Sequence, residues 1–172
     1  MSYENTQQRM PSLSDLVKHP FLFLGFGLGS GLSPKAPGTV GTLVGGVLFL
    51  PLMHWSLPLA WAVMFIGLLF GAMICGRSAH WAGVHDHGGI VWDEFVAIWL
   101  VLLCLPEQNW LNWLLAFLTF RFFDIVKPWP INWADRRIPG GAGIMLDDII
   151  AAFYSIIIIW AASTGFLWVD KG

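Results

Sequence analysis

Residues 35–77 read KAPGTVGTLVGGVLFLPLMHWSLPLAWAVMFIGLLFGAMICGR, and the 41 positions between Lys35 and Arg77 hold no Asp, Glu, Lys or Arg. A hydrocarbon core is crossed by about 20 helical residues, so this run is too long for one crossing. Pro51 and Pro58 interrupt it. The pattern predicts a hairpin of two spans, roughly 38–56 and 59–76, turning within 54–58. Residues 149–169 are a full-length third candidate. Two shorter apolar runs, 95–106 and 108–120, are divided by Pro106-Glu107-Gln108-Asn109 and predict helices over about 93–105 and 110–126 as a second hairpin. The expected fold is therefore all-α: a polytopic membrane helical bundle of about five spans, with a polar loop over 127–146. It forms one membrane-embedded domain over 1–172, with 1–20 as a polar N-terminal segment. Residues 21–32, rich in glycine and serine, are too short to span and are expected to re-enter the bilayer or lie at its interface.

Composition agrees. Of 172 residues 56% are hydrophobic and 12% charged, with a mean hydropathy of +0.67. A soluble domain carries about a quarter charged residues, so this chain cannot cover a globule with a polar surface. The 15% aromatic content and net charge of −2 oppose disorder. With a pI near 6.2 there is no overall attraction to nucleic acid, and none is expected as a partner.

Five spans place Arg9, Lys18, Lys35, Arg77, Arg121, Lys127, Arg136 and Arg137 on one side and only Lys171 on the other. That asymmetry assigns the basic side to the cytoplasm. Tryptophans near the predicted span ends form the expected interfacial belts: Trp55, Trp61, Trp110, Trp113 and Trp168 outside; Trp81, Trp92, Trp129 and Trp133 inside. Cys75 and Cys104 fall near opposite ends of their spans, which forbids a disulfide, and two cysteines show no metal-site spacing.

The acids are the informative exceptions. Asp86, Asp93, Glu94, Asp124, Asp135, Asp147 and Asp148 all fall on the predicted cytoplasmic side. Asp93-Glu94 opens the third span, Asp124 closes the fourth and Asp147-Asp148 opens the fifth. Carboxylates gathered at one partly dehydrated depth repel one another, and a bound divalent cation relieves that. All-oxygen ligands beside a phosphate suit magnesium. Helix capping accounts for Asp93 or Asp147 singly, but not for the doubled acids nor for Asp124 at a helix C-terminus. Asp124 is also placed to pair with Arg121 and Lys127, each three positions away.

Phosphate is suggested independently. Gly25, Gly27, Gly29 and Gly31 alternate ahead of Ser30 and Ser33, and Pro34-Lys35-Ala36-Pro37-Gly38-Thr39 leads into the first span. Such turns before a helix present backbone N–H groups to an anion, although glycines also serve helix packing. Gly140-Gly141-Ala142-Gly143 repeats the arrangement before Asp147. Lys127-Pro128-Trp129-Pro130 stops the fourth span and sets a base beside Asp124. His85-Asp86-His87 offers metal ligands or a proton donor, and equally a polar turn.

Four ordered segments carry a resemblance: Gly29-Ser30-Gly31-Leu32-Ser33-Pro34 with Ala36-Pro37-Gly38-Thr39; Val91-Trp92-Asp93-Glu94-Phe95; RFFDIVKPWPI over 121–131; and GGAGIMLDDIIA over 140–151. Together, over about residues 24–152, they resemble phosphatidylglycerophosphatase A. The resemblance implies a magnesium-dependent lipid phosphatase of the bacterial inner membrane, multi-pass, with its site on the cytoplasmic face. It implies hydrolysis of phosphatidylglycerophosphate to phosphatidylglycerol and phosphate. Carried onto this chain, the acidic motif positions are Asp93, Glu94, Asp124, Asp147 and Asp148, all expected in metal binding and catalysis, with Lys127 catalytic beside them. Substrate contacts are expected from Thr39, Ser30, Lys35, Arg121, His85 and Arg136. Magnesium on the acids would neutralise phosphoryl oxygens and activate water, while Lys127 and Arg121 stabilise the growing charge.

Rival designs are tested by their motifs. An Asp-x-Asp-x-Thr/Val nucleophile, a Cys-x5-Arg loop, a P-loop and the Asp-Gly-x2-Ala-Arg pattern of CDP-alcohol phosphotransferases are all absent from the sequence. An ion-coupled transporter or channel using the acids as a cation site is the alternative, and it requires ionisable groups along a path across the bilayer. A non-catalytic lipid-binding subunit is a further rival. Oligomeric state is not fixed by the sequence.

Overall fold

The computed structural model describes residues 9–84 and 87–169, with side chains described as far as Thr164. The described residues are helical, without strands. Two short helices, α1 (Leu13–Lys18) and α2 (Pro20–Gly25), lead into a 3₁₀ stretch, Gly27–Leu32. Four longer helices follow: α3 (Pro37–Trp55), α4 (Leu57–Ala82), α5 (Trp92–Leu103) and α6 (Trp110–Val126). A short α7 (Ile131–Arg137) precedes the long α8 (Gly140–Val169).

Local chemistry sets the boundaries. Ser12 caps α1 in a reciprocal box with Asp15, whose carboxylate accepts from the Ser12 amide at 2.9 Å. Pro37 and Pro58 sit in the first turns of α3 and α4, where a missing N–H costs nothing. Asn109 caps α6 by accepting from the Asn112 amide at 2.9 Å. Gly83 closes α4 at φ +74°, the left-handed conformation that favours glycine.

Three helices are long and apolar enough to cross a membrane: α3, α4 and residues 140–164 of α8. Their outer faces leave Leu43, Val47, Phe65, Ile66, Leu69, Ile157 and Ile158 exposed. A surface of this kind suits a hydrocarbon surrounding rather than water.

All twelve residues of α5 are buried, which makes it the axis around which α3, α4 and α8 pack. At about 1.5 Å per residue it is about 18 Å long, short of the roughly 30 Å hydrocarbon core. Two indoles tie it in place. Trp92 donates to the Gly67 carbonyl of α4 at 3.1 Å, and Trp99 to the Gly45 carbonyl of α3 at 2.9 Å. Trp92 is thus a buried packing residue and not the belt residue its position suggested, because its N–H finds a partner only inside the bundle. Trp55, Trp110, Trp129 and Trp133 are exposed, as a belt requires. Trp168 lies outside the described side chains. No disulfide joins Cys75 and Cys104.

Residues 21–32 form α2 and the 3₁₀ stretch. They are packed against the bundle through Leu22, Phe26, Gly27 and Gly31, all buried. Residues 127–146 are more ordered than the expected polar loop, since α7 and the first two turns of α8 occupy them.

Candidate active site

The acids come together where α5, α6 and α8 meet. Asp93 and Glu94 occupy the first turn of α5, whose N-cap is Val91 with no side-chain capping bond. Val91 has no polar side chain to cap the helix, and the Glu94 carboxylate lies on its own backbone amide in this first turn. Asp147 and Asp148 stand two turns inside α8, not at its start, because Gly140 to Gly143 begin the helix itself. The helix can start there because Gly141 lies against the Ala72 carbonyl of α4 and Gly143 against the Ile138 carbonyl. A Cβ at either position would collide with backbone, so these glycines serve close packing and not an anion-binding turn.

One carboxylate oxygen from each of Asp93, Glu94 and Asp148 can be chosen so that all lie within 4.8 Å of one another. Asp93, Glu94, Asp147 and Asp148 are buried. Asp93 Oδ1, Glu94 Oε2, Asp147 Oδ1 and Asp148 Oδ2 are buried without a hydrogen-bond partner. Asp124, near the end of α6, lies beside both Glu94 and Asp148. Buried acceptors left unmatched in this way are costly. An all-oxygen set of close carboxylates fits a hard divalent cation such as magnesium.

Two bases enclose the acids. Arg121 Nη1 lies 2.5 Å from Asp124 Oδ2 and 3.7 Å from Glu94 Oε1, and donates to Thr42 Oγ1 at 3.4 Å. Thr42 in turn donates to the Gly38 carbonyl at 2.8 Å, fixing the hydroxyl that holds the guanidinium. Arg121 Nε is buried and has no partner. Lys127 takes the left-handed conformation, φ +45°, at the end of α6. There it points to Asp147 at 2.6 Å and Asp135 at 2.8 Å, instead of pairing with Asp124 as expected from sequence spacing. Partial burial pulls the Lys127 ammonium down, but its hydrogen bonds and charge contacts with Asp135 and Asp147 outweigh that and hold it above the ordinary lysine range.

The remaining expected positions divide. Thr39 is in the first turn of α3, next to Gly38, whose hydrogen faces Glu94 Oε1 and both terminal nitrogens of Arg121. Ser30 Oγ donates to the Gly27 carbonyl at 2.8 Å, within the 3₁₀ stretch. Lys35 and Arg136 are exposed. Among the described residues, the bases paired with these acids are Arg121 and Lys127. His85 and Asp86 lie outside the described residues. His87 is buried, and its Nδ1 accepts from the Gly89 amide at 3.0 Å. Gly38 and Thr42 were not singled out from sequence as site residues. Gly38 stood inside a quoted motif, whereas Thr42 had no signal beyond being a hydroxyl one turn further along α3.

Residues 23–163 match the family described as Phosphatidylglycerophosphatase A. A phosphatidylglycerophosphatase A of Escherichia coli is 44% identical over 150 residues, covering 84% of each chain. One from Haemophilus influenzae is 44% identical over 83% of this chain and 88% of its own. A Bacteroides thetaiotaomicron protein, provisionally named a phosphatidylinositol-3-phosphatase, is 35% identical over 82% of this chain and 92% of its own. No solved structure matches the chain. With a family match across most of its length and two relatives at this identity, the chain belongs to the phosphatidylglycerophosphatase A family of phosphatases.

Proposed function

We propose that the protein hydrolyses phosphatidylglycerophosphate to phosphatidylglycerol and inorganic phosphate, dependent on magnesium, as a step of phospholipid biosynthesis. The observation that carries the reading is the convergence of Asp93, Glu94 and Asp148 with buried, unmatched oxygens, next to Arg121 and Lys127. The names of the two 44% identical relatives supply the substrate.

In this reading Asp93, Glu94 and Asp148 hold the magnesium ion, with Asp124 and Asp147 at its margin. When bound, the ion supplies Lewis-acid charge to the phosphate oxygens. The chain's own residues do the rest. Arg121, held by Asp124 and Thr42, offers its unpartnered Nε–H to a phosphate oxygen. Lys127 keeps its charge beside Asp147, available to the charge that grows on the transferring group. Thr39, Ser30, Lys35, His85 and Arg136 stand as further candidates for substrate contact, with Thr39 nearest in sequence to the Gly38 contact.

We assign five passes in this reading, α5 and α6 joining α3, α4 and α8; α5, enclosed on all sides by its neighbours, makes its pass inside the bundle and does not need the length of a lipid-facing span. The positive-inside asymmetry then puts the acids on the cytoplasmic face of the bacterial inner membrane. A diacyl substrate stays in its leaflet while its phosphate meets the cluster. The transporter alternative is disfavoured, because Asp93, Glu94, Asp124, Asp147 and Asp148 gather in one group and do not line a path.

The test is phosphate release by the purified protein in detergent, with magnesium, without it, and with a chelator. Release that requires magnesium and is abolished by chelation is expected; no release under any condition refutes the reading. Phosphatidylinositol 3-phosphate, offered in parallel, measures headgroup choice against the name of the Bacteroides relative.

A further inference from the structure

An apolar groove of about 290 Å³ runs between α3 and α6, floored by α5 and lined by Thr42, Gly46, Val47, Leu50, Ile98 and Leu114 among others. Thr42, buried at its inner end, accepts from Arg121 at 3.4 Å, so a single hydroxyl separates the groove from the guanidinium beside the carboxylate cluster. From Thr42 to Leu50 along α3 is about 12 Å. Half of a roughly 30 Å hydrocarbon core, the share of one leaflet, is about 15 Å. A second cavity, about 640 Å³, shares Val47, Leu50 and Trp113 with the groove and continues it toward the far end of α3.

The glycines of α3 show that the groove is not a by-product of close helix packing. A Cβ at Gly41 would come 2.6 Å from Val91 Cβ, and one at Gly45 would come 2.8 Å from the Phe95 ring, so those two positions need glycine for α3 to approach α5. At Gly46 the nearest atoms, on Ile98 and Leu102, are 3.7 and 3.8 Å away, an ordinary contact distance. Packing does not require glycine there. The missing side chain only leaves the floor of the groove open.

We propose that this groove seats one acyl chain of the lipid whose phosphate the carboxylate cluster receives, with Gly46 setting its depth. The inference rests on the lipid-phosphatase reading of that cluster. Apolar walls that end one side chain away from Arg121 complement a phosphate joined to hydrocarbon. An extended peptide is the wrong occupant, because its backbone N–H and C=O groups would meet almost no polar partner along these walls, and a helix, about 10 Å across, is too wide for a groove of this volume. Seating the chain holds the phosphate in register with Arg121, so binding energy distant from the reaction orients the reacting group.

The test uses the full chain in bilayer discs with phosphatidylglycerophosphate carrying a photoreactive diazirine at mid-chain. Peptide mapping after illumination is expected to find the label on Leu43, Val47 and Leu114. The same chain on phosphatidylcholine should label those residues several-fold less. Label centred on Phe70 and Met73, beside the separate cavity of α2 and α4, or an equal pattern from both lipids, overturns the proposal. Label position is read without turnover, so a protein that seats the chain but releases no phosphate defeats the phosphatase reading alone. Kinetics give the second arm: Gly46→Phe, and independently Leu114→Trp from the opposite wall, should lower the ratio of kcat/KM for dipalmitoyl over dihexanoyl substrate by about tenfold or more. An unchanged ratio in both variants overturns the proposal.

Discussion

Lys127 Nζ stands 2.6 Å from Asp147 Oδ2, so the residue that ends α6 is tied to the interior of α8, two turns past its start. The same ammonium reaches Asp135 on α7 at 2.8 Å. One cation thus joins three helices next to the carboxylate cluster. Replacing it with a neutral chain of similar length leaves Asp147 buried with no counter-charge.

Lys127→Met is therefore expected to destabilise the protein by roughly 1–3 kcal/mol, the range for removing one partner of a partly buried charged pair. Adding Asp147→Asn should recover part of that loss, since the uncompensated charge goes with it. Thermal unfolding in detergent of the two single variants and the double variant reads the coupling. Strictly additive losses would show that the contact carries no coupling.

Asp148→Asn separates the stability of the acid cluster from its use. Asp148 shares a 4.8 Å neighbourhood with Asp93 and Glu94, and repulsion among them favours removing one charge when no cation is present. The variant is expected to melt at or above the parent temperature without magnesium, to lose the rise in Tm that magnesium gives the parent, and to lose phosphate release by at least about a hundredfold. Parent-like turnover with an intact magnesium response would remove Asp148 from the metal set.

Most of the helix boundaries were legible because charges and prolines cut the apolar runs. The apolar runs, divided at Pro106-Glu107-Gln108-Asn109, put α6 at about 110–126, where it lies, and α3 within a residue of its expected ends. The Asp93-Glu94 pair at the start of α5 was equally plain. Three features were not. The Gly140 to Gly143 run reads as a turn, yet it is the first turn of α8, because what demands glycine is backbone contact, of Gly141 with Ala72 of α4 and of Gly143 with Ile138, which is set by the packing. Spacing offered Asp124 both Arg121 and Lys127, but the left-handed backbone of Lys127 turns it toward α7 and α8. The depth of Trp92 could not be read from its position near a span end. Its indole reaches 25 positions back in the chain to Gly67.

Gly38→Ala tests close approach at the site. A Cβ there would collide with Glu94 Oε1 and come within 3.2 Å of Arg121 Nη1 and Nη2. Because Glu94 and Arg121 are held by further contacts, the added methyl must displace at least one of them. Gly38 is in the first turn of α3, where the alanine preference falls below its interior value of about 1 kcal/mol, so it offsets only part of that displacement and a modest fall in Tm is expected. Activity is expected to drop on the order of a hundredfold, as misplacement by about 1 Å commonly does. Paired measurements of Tm and kcat/KM check this. A variant as active as the parent would show that the Glu94 and Arg121 positions seen here are not required.

Arg121→Lys tests whether the site needs the shape of the guanidinium or only its charge. Arg121 Nη1 pairs with Asp124, donates to Thr42 and lies 3.7 Å from Glu94, while its buried Nε has no hydrogen-bond partner. A lysine ammonium is a single point with three donors. It can keep a counter-charge near Asp124, but it cannot also present a separate donor at the Nε position. The lysine variant should stay folded, with a Tm within a few degrees of the parent on the usual scale for losing about 1 kcal/mol. Its kcat/KM should fall by roughly 10²–10³, the cost of losing one donor aimed at developing charge. Arg121→Ala, which also strips Asp124 of its counter-charge, should lose stability as well as activity. If lysine restores full turnover where alanine abolishes it, charge alone suffices and the fork geometry of Arg121 has no part in the reaction.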